Sequence, residues 1–147
     1  MTPEPAASRG ALETALRDYV QARSAALLSA RKILRIGELD ARALLFIVDN
    51  PGTRPGVLRG YLGITAAGVT TLTDRLVDRA VVRRDLDPSD RRMVRLTATI
   101  DIGAEPWSAL TRFDTDFASA IAAHDLAETE SAAALLSGFT RSVTDRS

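Results

Sequence analysis

The sequence predicts a mainly α-helical protein with one small β-hairpin, on three observations. Apolar residues recur at helical spacing on both sides of the middle of the chain. Pro55, Gly63 and Thr65 punctuate that middle as two short helices joined by a tight turn. After them, two runs with strand character flank Asp87-Pro88-Ser89-Asp90, where a proline following an aspartate suits a type I turn.

The opening residues, 1–10, are rich in proline and alanine without periodicity, so a loosely attached tail is expected there. Leu12, Leu16, Tyr19, Ala26, Leu27 and Leu34 then predict a long helix over roughly residues 11–35. A helix of that length on a small chain is often completed by another subunit. A second helix is expected over residues 40–48, burying Leu44, Leu45 and Val48, and "DNPGTRP" ends it. Pro55 opens a third helix through Leu62, because its missing N–H has no partner at a helix start anyway. Thr65 is a good N-cap for a fourth helix, residues 66–79, with Val69, Leu72 and Leu76 inward. A helix-turn-helix results, and the strands expected over residues 82–86 and 92–98 follow it as a wing. Two closing helices are read from Trp107, Leu110, Phe113, Phe117 and Ile121, and from Ala132, Leu135, Leu136, Phe139 and Val143, the second with Asp125 and Glu128 at capping-box spacing.

Composition narrows the function. The 147 residues fit one domain or a compact module with joining helices. No apolar run approaches the roughly 20 residues of a membrane span, and "MTPEPAASRG" lacks a signal-peptide core, so no membrane partner and a cytoplasmic location are expected. Cysteine is absent, which excludes disulfides and thiol-based sensing, and the single histidine, His124, disfavours a histidine-rich metal site. Nineteen basic residues balance nineteen acidic ones, yet residues 75–95 hold seven arginines against four aspartates. Beyond residue 100 the balance reverses, eight acidic against three basic. Such an asymmetry suits a protein that presents one edge to a polyanion.

The segment "PGTRPGVLRGYLGITAAGVTTLTDRLVDRAVVRRDLDPSDRRMVRLT" resembles the winged-helix signature of the MarR (multiple antibiotic resistance regulator) transcription factors, over roughly residues 39–99. The elements "GIT", "VTTLTDRL" and "VRRDLDPSDRR" stand in the family's order and spacing. The resemblance implies a winged helix-turn-helix lobe over residues 39–99, flanked by dimerisation helices over residues 11–38 and 100–147. It implies a homodimeric transcriptional regulator, most often a repressor, on a pseudo-palindromic double-stranded DNA operator, with a small aromatic or phenolic effector between the lobe and the dimerisation helices. In the family, the arginine matching Arg92 enters the minor groove.

The residues admit the same reading on physical grounds. Thr65, Ala67, Gly68, Thr70 and Thr71 give the fourth helix a small outer face that can approach base edges in a major groove, and Arg75 can reach a phosphate or a guanine. Asp90 and Arg92 lie two apart, so on an extended strand the carboxylate would hold the guanidinium, with Arg91 beside it for phosphate. There are three departures from the family pattern. Ala80 stands where glycine is frequent, Gly68 sits in the first turn of the reading helix, and "LTAT" offers two places for the family's "LT", of which Ala98-Thr99 preserves the wing's length.

Tyr19, Trp107 and Phe113 are the candidate effector-pocket residues, although aromatics at helical spacing are more often core. No cofactor or metal is implied. Enzymatic chemistry is not expected: no nucleophile elbow accompanies His124, and Asp114 and Asp116 fall on different faces of a helix. The alternative is a winged-helix interaction or small-molecule-binding module that does not read DNA.

Overall fold

The computed structural model describes residues 5–145. It divides into two compact units, one ending at Thr111 and one beginning at Arg112. No helix among the described residues is long and apolar enough to cross a membrane.

In the first unit, helix α1 runs Pro5–Leu34. The tail expected over residues 1–10 is therefore helical from Pro5 onward, and its first four residues lie outside the described ones. Proline at a helix start loses only an N–H that would have had no partner, and the alanines after it favour the helix. Arg35 closes α1 in the left-handed region, φ 51°, and the Ile36 N–H donates to the Arg31 carbonyl at 3.0 Å. Helix α2, Glu38–Asp49, starts two residues before the expected position, with Glu38 and Asp40 in its first turn beside the positive end of its dipole.

Helices α3, Pro55–Leu62, and α4, Ala66–Asp78, lie where the punctuation put them. Gly63 takes the left-handed conformation, φ 67°, that ends α3. The Thr65 hydroxyl accepts from the Gly68 N–H at 3.0 Å and caps α4. At the far end of α4, Ala80 occupies the left-handed position, φ 57°, and Val81 N–H bonds back to the Leu76 carbonyl at 3.1 Å. Alanine thus fills a glycine geometry at a steric cost of roughly 1–2 kcal/mol.

Strands β1, Val82–Leu86, and β2, Val94–Ala98, pair antiparallel, Val82 opposite Ala98 and Leu86 opposite Val94. Thr53, from the turn before α3, adds a bridge to Leu96, with N–H to carbonyl distances of 2.9 Å from Gly52 and 2.8 Å back to Thr53. Thr99 fastens the hairpin to the end of α4, its hydroxyl donating to the Ala80 carbonyl at 2.7 Å. These elements enclose a core of Leu44, Ile47, Leu58, Leu72, Leu76 and Leu96, all fully buried. A short 3-10 helix, Trp107–Leu110, packs on α1 and buries Leu110.

The second unit holds helices α5, Arg112–Ala122, and α6, Leu126–Thr144. Asp125 accepts from the Glu128 N–H at 3.1 Å, as the capping spacing predicts. Neither helix has a buried residue, and Phe117, Ile121, Leu135, Phe139 and Val143 are exposed.

Candidate nucleic-acid interface

Helix α4 and the β1–β2 hairpin lie in one unit, packed against each other. Ala67, Thr70 and Thr71 are exposed on α4, opposite its buried Val69, Leu72 and Leu76. Thr70 and Thr71 donate their hydroxyl hydrogens to the Ala66 and Ala67 carbonyls, at 3.0 and 3.1 Å. Each therefore presents a methyl and an accepting oxygen outward. Gly68 is half-buried, and a Cβ there would meet the Thr65 hydroxyl at 3.1 Å. Its immediate reason is room for the cap.

Arg75, expected to reach DNA, has a partner within the protein. Its Nε donates to Asp40 Oδ2 at 3.1 Å and its Nη2 to Asp40 Oδ1 at 2.5 Å, which ties α4 to the first turn of α2. Hydrogen bonding and charge from Asp40 push the guanidinium pKa further up. Asp40 is buried, and burying a carboxylate requires such a partner. A pairing across 35 residues of sequence leaves no local trace.

The wing tip also differs from the extended strand expected at Asp90 to Arg92. Strand β2 starts only at Val94, because the Met93 N–H donates to the Asp90 carbonyl at 2.9 Å and closes a turn. Asp90 Oδ1 accepts from the backbone N–H of Arg92 at 3.0 Å, not from its guanidinium. The carboxylate shapes the turn that displays Arg91 and Arg92, both exposed and without a side-chain partner among the described residues. Neighbouring arginines are already paired: Arg83 with Asp85 at 2.9 Å and Arg84 with Asp74 at 2.6 Å.

Beneath the tip lies Asp87, which sequence reasoning assigned only to the turn. It is 1% exposed. Oδ1 accepts from the Ser89 N–H at 2.9 Å and the Ser89 hydroxyl at 2.6 Å, and Oδ2 accepts from Arg95 Nε at 2.8 Å. Arg54, the residue before α3, approaches Oδ2 at 3.5 Å. The Ser89 hydrogen bonds first, then Arg95, hold the carboxyl far below the usual carboxylate range. The pairing register carries the signal that would have found this. Asp85 stands opposite Arg95, so alternation puts Asp87 on the same face of the hairpin.

A cleft of about 540 Å³ opens between α1, α2 and α3, lined among others by Arg23, Leu27, Arg31, Glu38, Arg42 and Tyr61. Arg31 pairs with Glu38 at 2.9 Å while its Nε is buried without a partner, and Arg42 lies over the Tyr61 ring, 5.6 Å from its centre. Tyr19, Trp107 and Phe113 are not among its lining residues. Tyr19 is half-buried on α1, Trp107 packs against the core of the first unit, and Phe113 stacks on Phe117 in α5 at 6.1 Å. Among the described residues no group of three or more His, Asp or Glu side chains is placed to hold a metal ion.

Residues 33–93 match the model of the MarR family. No curated protein sequence matches the chain. Among solved structures, it is similar to the transcriptional regulator Tm0710 from Thermotoga maritima, at 26% identity, TM-score 0.59, covering 93% of this chain and 96% of that one. It is similar to Streptococcus pneumoniae FabT in complex with DNA, at 17% identity, TM-score 0.63, covering 95% and 99%. It is also similar to S. aureus MepR bound to ethidium bromide, at 18% identity, TM-score 0.65, covering 89% and 95%. The part of the chain that matches the MarR family model, residues 33–93, is the part that carries the winged helix-turn-helix.

Proposed function

We propose that this chain is a DNA-binding transcriptional regulator, a ligand-responsive repressor that grips a pseudo-palindromic operator as a homodimer. One observation carries the DNA reading: a helix with a small, exposed outer face stands in the same unit as a turn that displays two unpaired arginines. Small side chains let a backbone approach base edges in the major groove, and a narrow minor groove attracts a guanidinium. Thr65, Ala67, Thr70, Thr71, Arg91 and Arg92 are the contacting residues in this reading. Arg75, Gly68 and Asp90 support them from behind. The structure of FabT with DNA, at a similar fold, supports the same docking.

The dimer follows from uncovered apolar surface. Leu12, Leu16, Val20 and Leu28 on α1, and Phe117, Leu135, Phe139 and Val143 on α5 and α6, are exposed in the single chain. Each such side chain gains about 1.5–3 kcal/mol on full burial, which a second copy supplies. Two reading helices then meet successive major grooves about 34 Å apart. The reading of a small aromatic or phenolic effector draws on the cleft, with its leucines and Tyr61, and on the similarity to S. aureus MepR bound to ethidium bromide.

Selecting duplexes from a random pool with the full chain, then titrating the recovered duplex against salt, tests the regulator. The affinity should fall steeply with salt, and Arg92→Ala should weaken it by about 1–3 kcal/mol. Recovery of no duplex would favour the second reading, a winged-helix interaction module. That reading draws support from the number of arginines near α4 already bound to aspartates.

A further inference from the structure

We propose that Asp87 is the positioning residue of the wing, holding Arg95 and Arg54 so that Arg91 and Arg92 are presented at a fixed offset from α4. The proposal rests on the DNA reading above, since only a polyanion gives that offset a use.

The wing hairpin has five residues in each strand, and an isolated two-stranded hairpin is marginally stable in water. Its far end is tied to α4 by Thr99, and its middle to the turn before α3 by the Thr53–Leu96 bridge. Neither tie reaches the tip. Asp87 supplies that reach. It draws in Ser89 from the tip, Arg95 from β2 and Arg54 from the start of α3, three segments converging on one buried carboxylate. The stem of Arg95 also lies over Gly52, where an added Cβ would meet Nη1 at 3.6 Å, so the same arginine is braced on the turn.

The other charged pairs of the hairpin do not reach its tip: Arg84 pairs with Asp74 and ties β1 to α4, with both side chains largely exposed. Arg83 and Asp85 are two residues apart on one strand and both solvent-exposed in part, so their pair ties the strand only to itself. A fixed tip loses less conformational freedom when it enters a groove, which is how a residue without contact to DNA raises affinity.

The experiment uses the full chain, the duplex recovered by selection and the variants Asp87→Asn, Arg95→Met, Arg92→Ala and Asp85→Asn. Arg95→Met keeps the apolar stem and serves where Asp87→Asn fails to fold, as judged by thermal melting. Each positioning variant should weaken binding roughly tenfold. Combined with Arg92→Ala, either should add little further loss, because both act through the same contact. Asp85→Asn should leave affinity unchanged. Trypsin supplies a readout that needs no DNA: cleavage after Arg91 and Arg92 should accelerate in Asp87→Asn and Arg95→Met, with sites outside the hairpin unaffected.

Multiplicative losses in the double variants, or unchanged cleavage at the tip, would overturn the proposal while leaving the DNA reading intact. A selection that recovers no duplex would overturn the DNA reading itself, and the wing's positioning role with it.

Discussion

Arg75 on α4 and Asp40 in the first turn of α2 share two hydrogen bonds, a fork of Nε and Nη2 on both carboxylate oxygens. The fork belongs to the fold, because it ties α4 to α2. Arg75→Met leaves the Asp40 carboxylate buried and unpaired, and should destabilise by about 1–3 kcal/mol in urea unfolding at unchanged m. Arg75→Lys, which cannot form the fork, should lose part of the same stability. A salt slope for DNA binding that falls in Arg75→Lys without any stability loss would return Arg75 to the contact surface.

Ala80→Gly should stabilise the chain by on the order of 0.5–1 kcal/mol, the relief of a left-handed alanine less the entropy of the added glycine. Thermal melting measures it, and an unchanged or lower Tm would show the strain absent.

Gly68 and Thr65 should be coupled. Thr65→Ala removes the cap and should cost about 1 kcal/mol. Gly68→Ala forces a Cβ to 3.1 Å from the capping hydroxyl, so in the wild-type background the helix gain is offset by the displaced cap. In the Thr65→Ala background that hydroxyl is gone, and the same substitution should stabilise. Strictly additive effects in the four-variant cycle would refute the coupling.

Asp87 sets an acid limit. Its pKa is lower in the folded chain than in the unfolded one, so its contribution is complete above the ordinary carboxylate pKa of about 4 and is lost as pH falls below it toward the folded value. Unfolding free energy should therefore decline below about pH 4 less steeply in Asp87→Asn than in the wild type. Parallel acid limbs in the two proteins would exclude Asp87 as a contributor.

Legibility in the sequence followed the range of the interactions. Pro55, Gly63 and Thr65 act within one turn of chain, and α3 and the start of α4 fell where they indicated. Strand β1 likewise ends at the turn signal of Asp87 and Pro88. The start of β2 was missed by two residues because the Asp90 side chain and carbonyl accept from the Arg92 and Met93 N–H groups, a local preference that overrode the alternating pattern. The structural partners of Arg75 and Asp87 were not legible for the opposite reason: they come from α2, from β2 and from the turn before α3, and no spacing encodes such meetings. The small outer face of α4 was legible as a face, since helical periodicity alone determines which residues point away from Val69 and Leu72.

Arg79 donates from the end of α4 to the Leu34 and Arg35 carbonyls, both at 2.8 Å. Those carbonyls close α1, so a module that began at α2 would lose two hydrogen bonds from the end of α4. Cut after residue 35, a fragment carrying only α2 to β2 would lack both carbonyls that hold the Arg79 guanidinium. The match to the family model also begins at residue 33, inside that last turn. A cassette of this lobe keeps those bonds only when it carries a stub of the preceding helix.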